Sequence, residues 1–91
     1  MITKMSVRDG HVSLHVTAYG KLWCFDMDRD WTEDRAERWC YNLVAEIEVM
    51  EAKAKSLEDL TEKILAHLKT LKFKSPDKMQ RTSQNNYEVL L

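Results

Sequence analysis

Glycine occurs only at positions 10 and 20, so no Gly-rich loop of the kind that cradles phosphates can be assembled from this chain. Proline occurs once, at Pro76, which removes any polyproline segment. Cys24 and Cys40 are the only cysteines and form no CxxC pair, so neither a zinc ribbon nor a dense disulfide framework is written here, and reduced thiols are expected. No apolar run approaches the length of about 18 residues that a membrane span needs, and the opening MITKMSVRDG lacks an apolar signal region. The expectation is a soluble, cytoplasmic protein that engages no membrane. A net charge of -1 argues against both a strongly basic nucleic-acid binder and an acidic disordered tail. At 91 residues the chain supports one modest core, with no room for a separate cofactor domain, and no cofactor is expected.

What the chain does contain divides into an alternating region and a helical one. Val12, Leu14, Val16 and Ala18 alternate with His11, Ser13, His15 and Thr17, the period-2 pattern of a half-buried strand. Met5 and Val7 alternate with polar residues before it, and Trp23, Phe25 and Met27 alternate with Leu22, Cys24 and Asp26 after it. The junctions are Asp9-Gly10 and Tyr19-Gly20, and Asp-Gly between alternating runs signals a two-residue hairpin. The spacing predicts a three-stranded antiparallel meander.

From Thr32 to Phe73 neither Gly nor Pro interrupts a stretch rich in Ala, Glu, Lys, Leu and Met. Ala36, Cys40, Leu43, Ile47, Met50, Ala54, Leu57, Thr61, Ile64, Leu68 and Leu71 follow a strict 4-3 spacing, the stripe along which helices bury each other. Asp30, Thr32, Glu33, Asp34 and Glu37 suit a helix N-terminus. A continuous helix over 32–72 would run about 60 Å at ~1.5 Å per residue and would need a partner chain to cover it. Ser56 followed by Glu58 and Asp59 reads instead as a second N-cap, after Lys53 and Lys55 at the end of a first helix. The preferred reading is two helices, with one long coiled-coil helix as the alternative. Together these elements predict an α+β domain over 1–74 and a polar, mobile tail over 75–91, whose Tyr87, Val89, Leu90 and Leu91 could add an edge strand. Charge is segregated: Asp26 to Glu62 holds twelve acids against five bases, whereas Lys63 to Arg81 holds six bases against Asp77.

The segment Asp26 to Glu37 places oxygens at positions 1, 3, 5, 9 and 12 of an EF-hand-like loop, but Trp31 stands where the sharp turn needs Gly, and no metal site is expected. Asp26 and Asp28 after an apolar strand also resemble the DxD opening of haloacid dehalogenase-type phosphatases, a family that needs a parallel doubly wound sheet for which this chain has no room. His11 and His15 lie four residues apart on a strand, roughly 13 Å, too far to share a metal. No Ser, His and Asp set accompanies them, so a non-enzymatic role is expected. Lys4, Arg8, His11, His15 and Lys21 form a candidate basic face, and a three-stranded sheet followed by a helix resembles in layout the AP2-like arm-binding domains of integrases. That resemblance implies a nucleic-acid-binding regulator as the alternative function.

The favoured expectation is a protein-binding module, an adaptor or inhibitor that occludes a partner's surface. Trp31 ringed by Asp28, Asp30, Glu33 and Asp34 is the candidate partner-binding strip, since aromatic residues anchor interfaces and charges steer encounter. The 4-3 stripe, through Leu43, Ile47, Met50, Leu57, Ile64, Leu68 and Leu71, is the candidate self-association surface of a homodimer.

Overall fold

A computed structural model describes residues 3–8, 10–71, 80–81 and 86–90. Asp9 of the first junction and most of the 75–91 stretch lie outside them. Three antiparallel strands, β1 (Thr3–Arg8), β2 (His11–Ala18) and β3 (Lys21–Asp28), precede helices α1 (Glu33–Lys53) and α2 (Leu57–Thr70), and two further strands, β4 (Gln80–Arg81) and β5 (Asn86–Leu90), follow. The class is α+β, as the patterning predicts. The three-stranded meander is present, and it belongs to a five-stranded sheet of order β1-β2-β3-β5-β4.

The alternation in the sequence sets the pleat. Met5 pairs with Leu14 and Val7 with Val12; Leu14 pairs with Phe25 and Val16 with Trp23. One face is thereby apolar throughout, and Val12, Leu14, Val16, Ala18, Trp23, Phe25 and Met27 are all buried. Tyr19 and Gly20 both have positive φ, 55° and 72°, the left-handed pair of a type I′ hairpin turn. The Tyr19 amide donates to the Glu51 carboxylate, which ties this turn to α1. Gly10, at φ 81°, sits where an added Cβ would come within 3.3 Å of the Arg29 carbonyl, and its own carbonyl accepts from the Arg29 amide at 2.8 Å.

The helical region breaks where the second N-cap is written. Thr32 Oγ1 accepts from the Arg35 amide at 3.3 Å to start α1, and Ala54 is extended at ψ 140°. Ser56 Oγ accepts from the Asp59 amide, and Asp59 Oδ2 accepts from the Lys55 amide, each at 3.1 Å. Side-chain oxygens satisfy the orphan donors, so the turn needs no glycine. The alternative of one long coiled-coil helix therefore gives way to two helices.

The break also decides what the 4-3 stripe covers. Ala36, Cys40, Leu43 and Ile47 of α1 and Leu60, Ile64 and Leu68 of α2 are buried in the same core as the apolar face of the sheet, with Met50, Leu57 and Leu71 half-buried beside them. Thr61, the polar member of the stripe, donates its hydroxyl to the Leu57 carbonyl at 2.9 Å. Of the candidate self-association residues, Leu43, Ile47, Ile64 and Leu68 thus pack within the chain's own core, because a helix folded back at Ala54 to Ser56 turns its stripe toward that core, while Met50, Leu57 and Leu71 stay partly exposed.

Asn86–Leu90 departs from the expected tail. It pairs in parallel with β3, Trp23 opposite Tyr87 and Phe25 opposite Val89. A parallel pair needs a crossover, which the two helices supply. Val89 is fully buried, and the Tyr87 ring stacks on Trp23 with centroids 4.4 Å apart and planes 13° from parallel. Trp23 Nε1 donates to the Ala18 carbonyl at 2.9 Å, so its one polar atom is satisfied inside the core.

Candidate functional site

Residues 35, 38, 39 and 42 recur at helical spacing along a single flank of α1, beside the buried stripe, and Trp31 stands just before the start of that helix. There Trp31, Arg35, Arg38, Trp39 and Asn42 meet Leu71 at the end of α2 around an open cavity of about 410 Å³. Trp31 precedes the Thr32 cap, at the position from which a side chain staples the first helical turn. It is half-buried, with its ring 6.1 Å from that of Trp39 at an interplanar angle of 56°. The Arg35 guanidinium lies over the Trp31 ring, 4.6 Å from its centroid, in cation–π geometry. A second cavity of about 300 Å³, lined by Trp39, Asn42, Leu43, Glu46, His67 and Leu71, continues the cleft along the helical hairpin.

This arrangement differs from the expected acidic strip around Trp31. Asp28, Asp30, Glu33 and Asp34 are all exposed, but none lines the Trp31 cleft. Asp28 accepts from His11 Nδ1 at 2.9 Å, and it lines, with Gly10, Arg29 and Asp30, a shallow surface at the far end of β3. Glu33 and Asp34 occupy the first turn of α1, where they complement the helix dipole. Neighbours in sequence surround Trp31 with acids, whereas neighbours one and two helical turns away surround it with guanidinium and indole. In the linear sequence Arg35 and Arg38 stand among more numerous acids, and projection of the stripe's polar flank onto a helix is what brings them beside Trp31.

The open face of the sheet is likewise different from the expected basic face. Lys4, Arg8, His11 and His15 do share it, since Lys4 pairs with His15 and Arg8 with His11. Lys21 does not: it pairs with Ala18 and stands on the Trp23 side of the pleat. Across the same open face β3 and β5 contribute Asp26, Asp28 and Glu88, so its charge divides from cationic at β1 to anionic at β5. His11 lies between two of these acids, with Nε2 3.8 Å from Asp26 and Nδ1 2.9 Å from Asp28.

Among the described residues no three His, Cys, Asp or Glu side chains converge on a metal-sized site. Neither Cys24 nor Cys40 forms a disulfide among the described residues. Burial, then the nearby Glu37, pushes the Cys40 thiol up to about 11, and burial followed by Asp26 and Glu88 raises that of Cys24. Both shifts oppose the thiolate that nucleophilic chemistry requires.

No helix among the described residues is long and apolar enough to cross a membrane. Compared with protein-family models, with curated proteins and with solved structures, the chain matches none.

Proposed function

We propose that this chain is a small, non-enzymatic protein-binding module, an adaptor or inhibitor, that seats part of its partner in the Trp31 cleft. The observation that carries this reading is the composition of the cleft: two indoles and two guanidinium groups around one open cavity of about 410 Å³. Trp and Arg are the residue types that dominate the energetics of protein interfaces, because each removes a large flat surface from water while keeping a polar handle. Arg35 and Arg38 select for carboxylates, and the facing rings of Trp31 and Trp39 select for an apolar or aromatic side chain. The partner segment that fits is acidic with one apolar anchor. The rest of the α1 surface, rich in Glu, repels acidic chains that approach elsewhere and so directs them to the cleft.

The experiment is affinity capture with the wild-type chain beside two variants, Trp31→Ala and the double variant Arg35→Glu with Arg38→Glu. A protein retained by the wild type and lost from both variants, while their melting temperatures stay within a few degrees, supports the reading. Undiminished retention by the variants would place the binding surface elsewhere.

A further inference from the structure

The sheet ends, on the side away from β5, in a strand that pairs only once. Among the described residues β1 is hydrogen-bonded to β2 and to no other strand, which leaves the outer row of its backbone donors and acceptors open along Thr3–Arg8. Such an edge can accept a further strand. We infer that β1 is a strand-accepting edge whose occupant is an extended segment of another protein in which acidic and apolar residues alternate.

Two sets of side chains specify that occupant. On the open face, Lys4 and Arg8 are exposed, and their cross-strand neighbours on β2 are His15 and His11. Of the acids of this face, Asp26 and Asp28 stand one strand further away, on β3, and are engaged with His11, and Glu88 lies a strand beyond them on β5. Among the described residues neither Lys4 nor Arg8 forms an ion pair, so the positive charge of the edge is matched on no side. Carboxylates four residues apart on an added strand would lie directly opposite both. On the helix-facing side, Met5 and Val7 are half-buried and adjoin α1, where Tyr41 is 62% exposed. Met5, Leu14, Cys40, Tyr41 and Val44 line a cavity of about 260 Å³ that the alternate, apolar residues of the added strand would fill.

The same charges argue against a second copy of this chain. Antiparallel pairing of two β1 strands about Ser6 sets Lys4 opposite Arg8 twice, a like-charge register. The chain itself contains the complementary design, since β2 with its histidines is covered by β3, in which Phe25, Asp26, Met27 and Asp28 alternate apolar and acidic.

The test uses the full, isotope-labelled chain and a synthetic peptide containing Glu-Val-Thr-Val-Glu, beside a control containing Lys-Val-Thr-Val-Lys. The glutamate peptide should slow hydrogen exchange at alternate amides of β1 and shift the signals of Tyr41 and Val44. The double variant Lys4→Glu with Arg8→Glu should lose roughly tenfold in affinity for it, as attraction turns to repulsion at two cross-strand pairs, and should gain affinity for the lysine peptide. Absence of binding, equal binding of both peptides by the wild type, or self-association through β1 would overturn the inference. Binding that moves only Trp31 and Trp39 would overturn it as well, and would leave the cleft reading standing.

Discussion

Tyr19 is the one described non-glycine residue with a left-handed backbone, at φ 55°. An L side chain there costs on the order of 1 kcal/mol, which asparagine reduces because its short amide tolerates this region. Tyr19→Asn should therefore stabilise the fold by about 0.5–1 kcal/mol in urea unfolding, completing the Asn-Gly pair that a type I′ turn favours. A loss of stability would mean that the half-exposed ring contributes more than the turn strain removes. Cys40 carries a pH signature. Its thiol titrates near 9.0 when unfolded and is pushed up to about 11 when folded. Between those values the unfolded state releases a proton that the folded state keeps, so the contribution is complete below pH 9 and is lost as pH rises toward 11. Stability of the wild type should fall more steeply across this window than that of Cys40→Ala, by up to about 1.4 kcal/mol per pH unit.

At the level of elements, the three N-terminal strands were legible because one face of each is apolar and their alternation is strict over at least four positions. The helix break was legible in Ser56 and Asp59, whose side chains do the work that a glycine turn does elsewhere. β5 was not legible as an inner strand: it is five residues long, it pairs in parallel, and no local turn links it to β3 to announce the pairing. Lys21 was misplaced by a single residue of phase, which in a strand exchanges faces. The cleft residues were hidden for a different reason, since a linear count of charge around Trp31 weighs acids that point away and misses Arg35 and Arg38 a turn further on. β5 also supplies a direct check on the sheet. Val89 is fully buried against the core, so Val89→Asp should destabilise by several kcal/mol, roughly 3 or more, through the cost of placing a carboxylate there. A change below about 1 kcal/mol in denaturant unfolding would detach the C-terminal strand from the core.

For the whole molecule, the decisive change from the sequence expectation is the destination of the 4-3 stripe. Ile64 is fully buried within its own chain. Ile64→Asp should lower the melting temperature by an amount that is the same at low and high micromolar protein, because the packing it removes lies within the chain. A concentration-dependent loss would return the stripe to self-association. With much of the stripe buried in the chain's own core, the surfaces we propose for recognition are the basic, aromatic cleft on the flank of α1 and the cationic edge at β1, each set in a chain that is acidic over most of its helical length.

The cleft can be tested at its own indoles. Trp23, Trp31 and Trp39 should each contribute an indole N–H signal to a proton–nitrogen correlation spectrum, and Trp23 serves as the internal control because its Nε1 donates to the Ala18 carbonyl in the core. On titration with a peptide containing Asp-Phe-Glu, the signals of Trp31 and Trp39 should move together and saturate while that of Trp23 stays in place, and Arg35→Glu with Arg38→Glu should abolish the movement. Static Trp31 and Trp39 signals, or shifts that persist unchanged in the charge-reversed variant, would contradict the assignment of this cleft as the docking site.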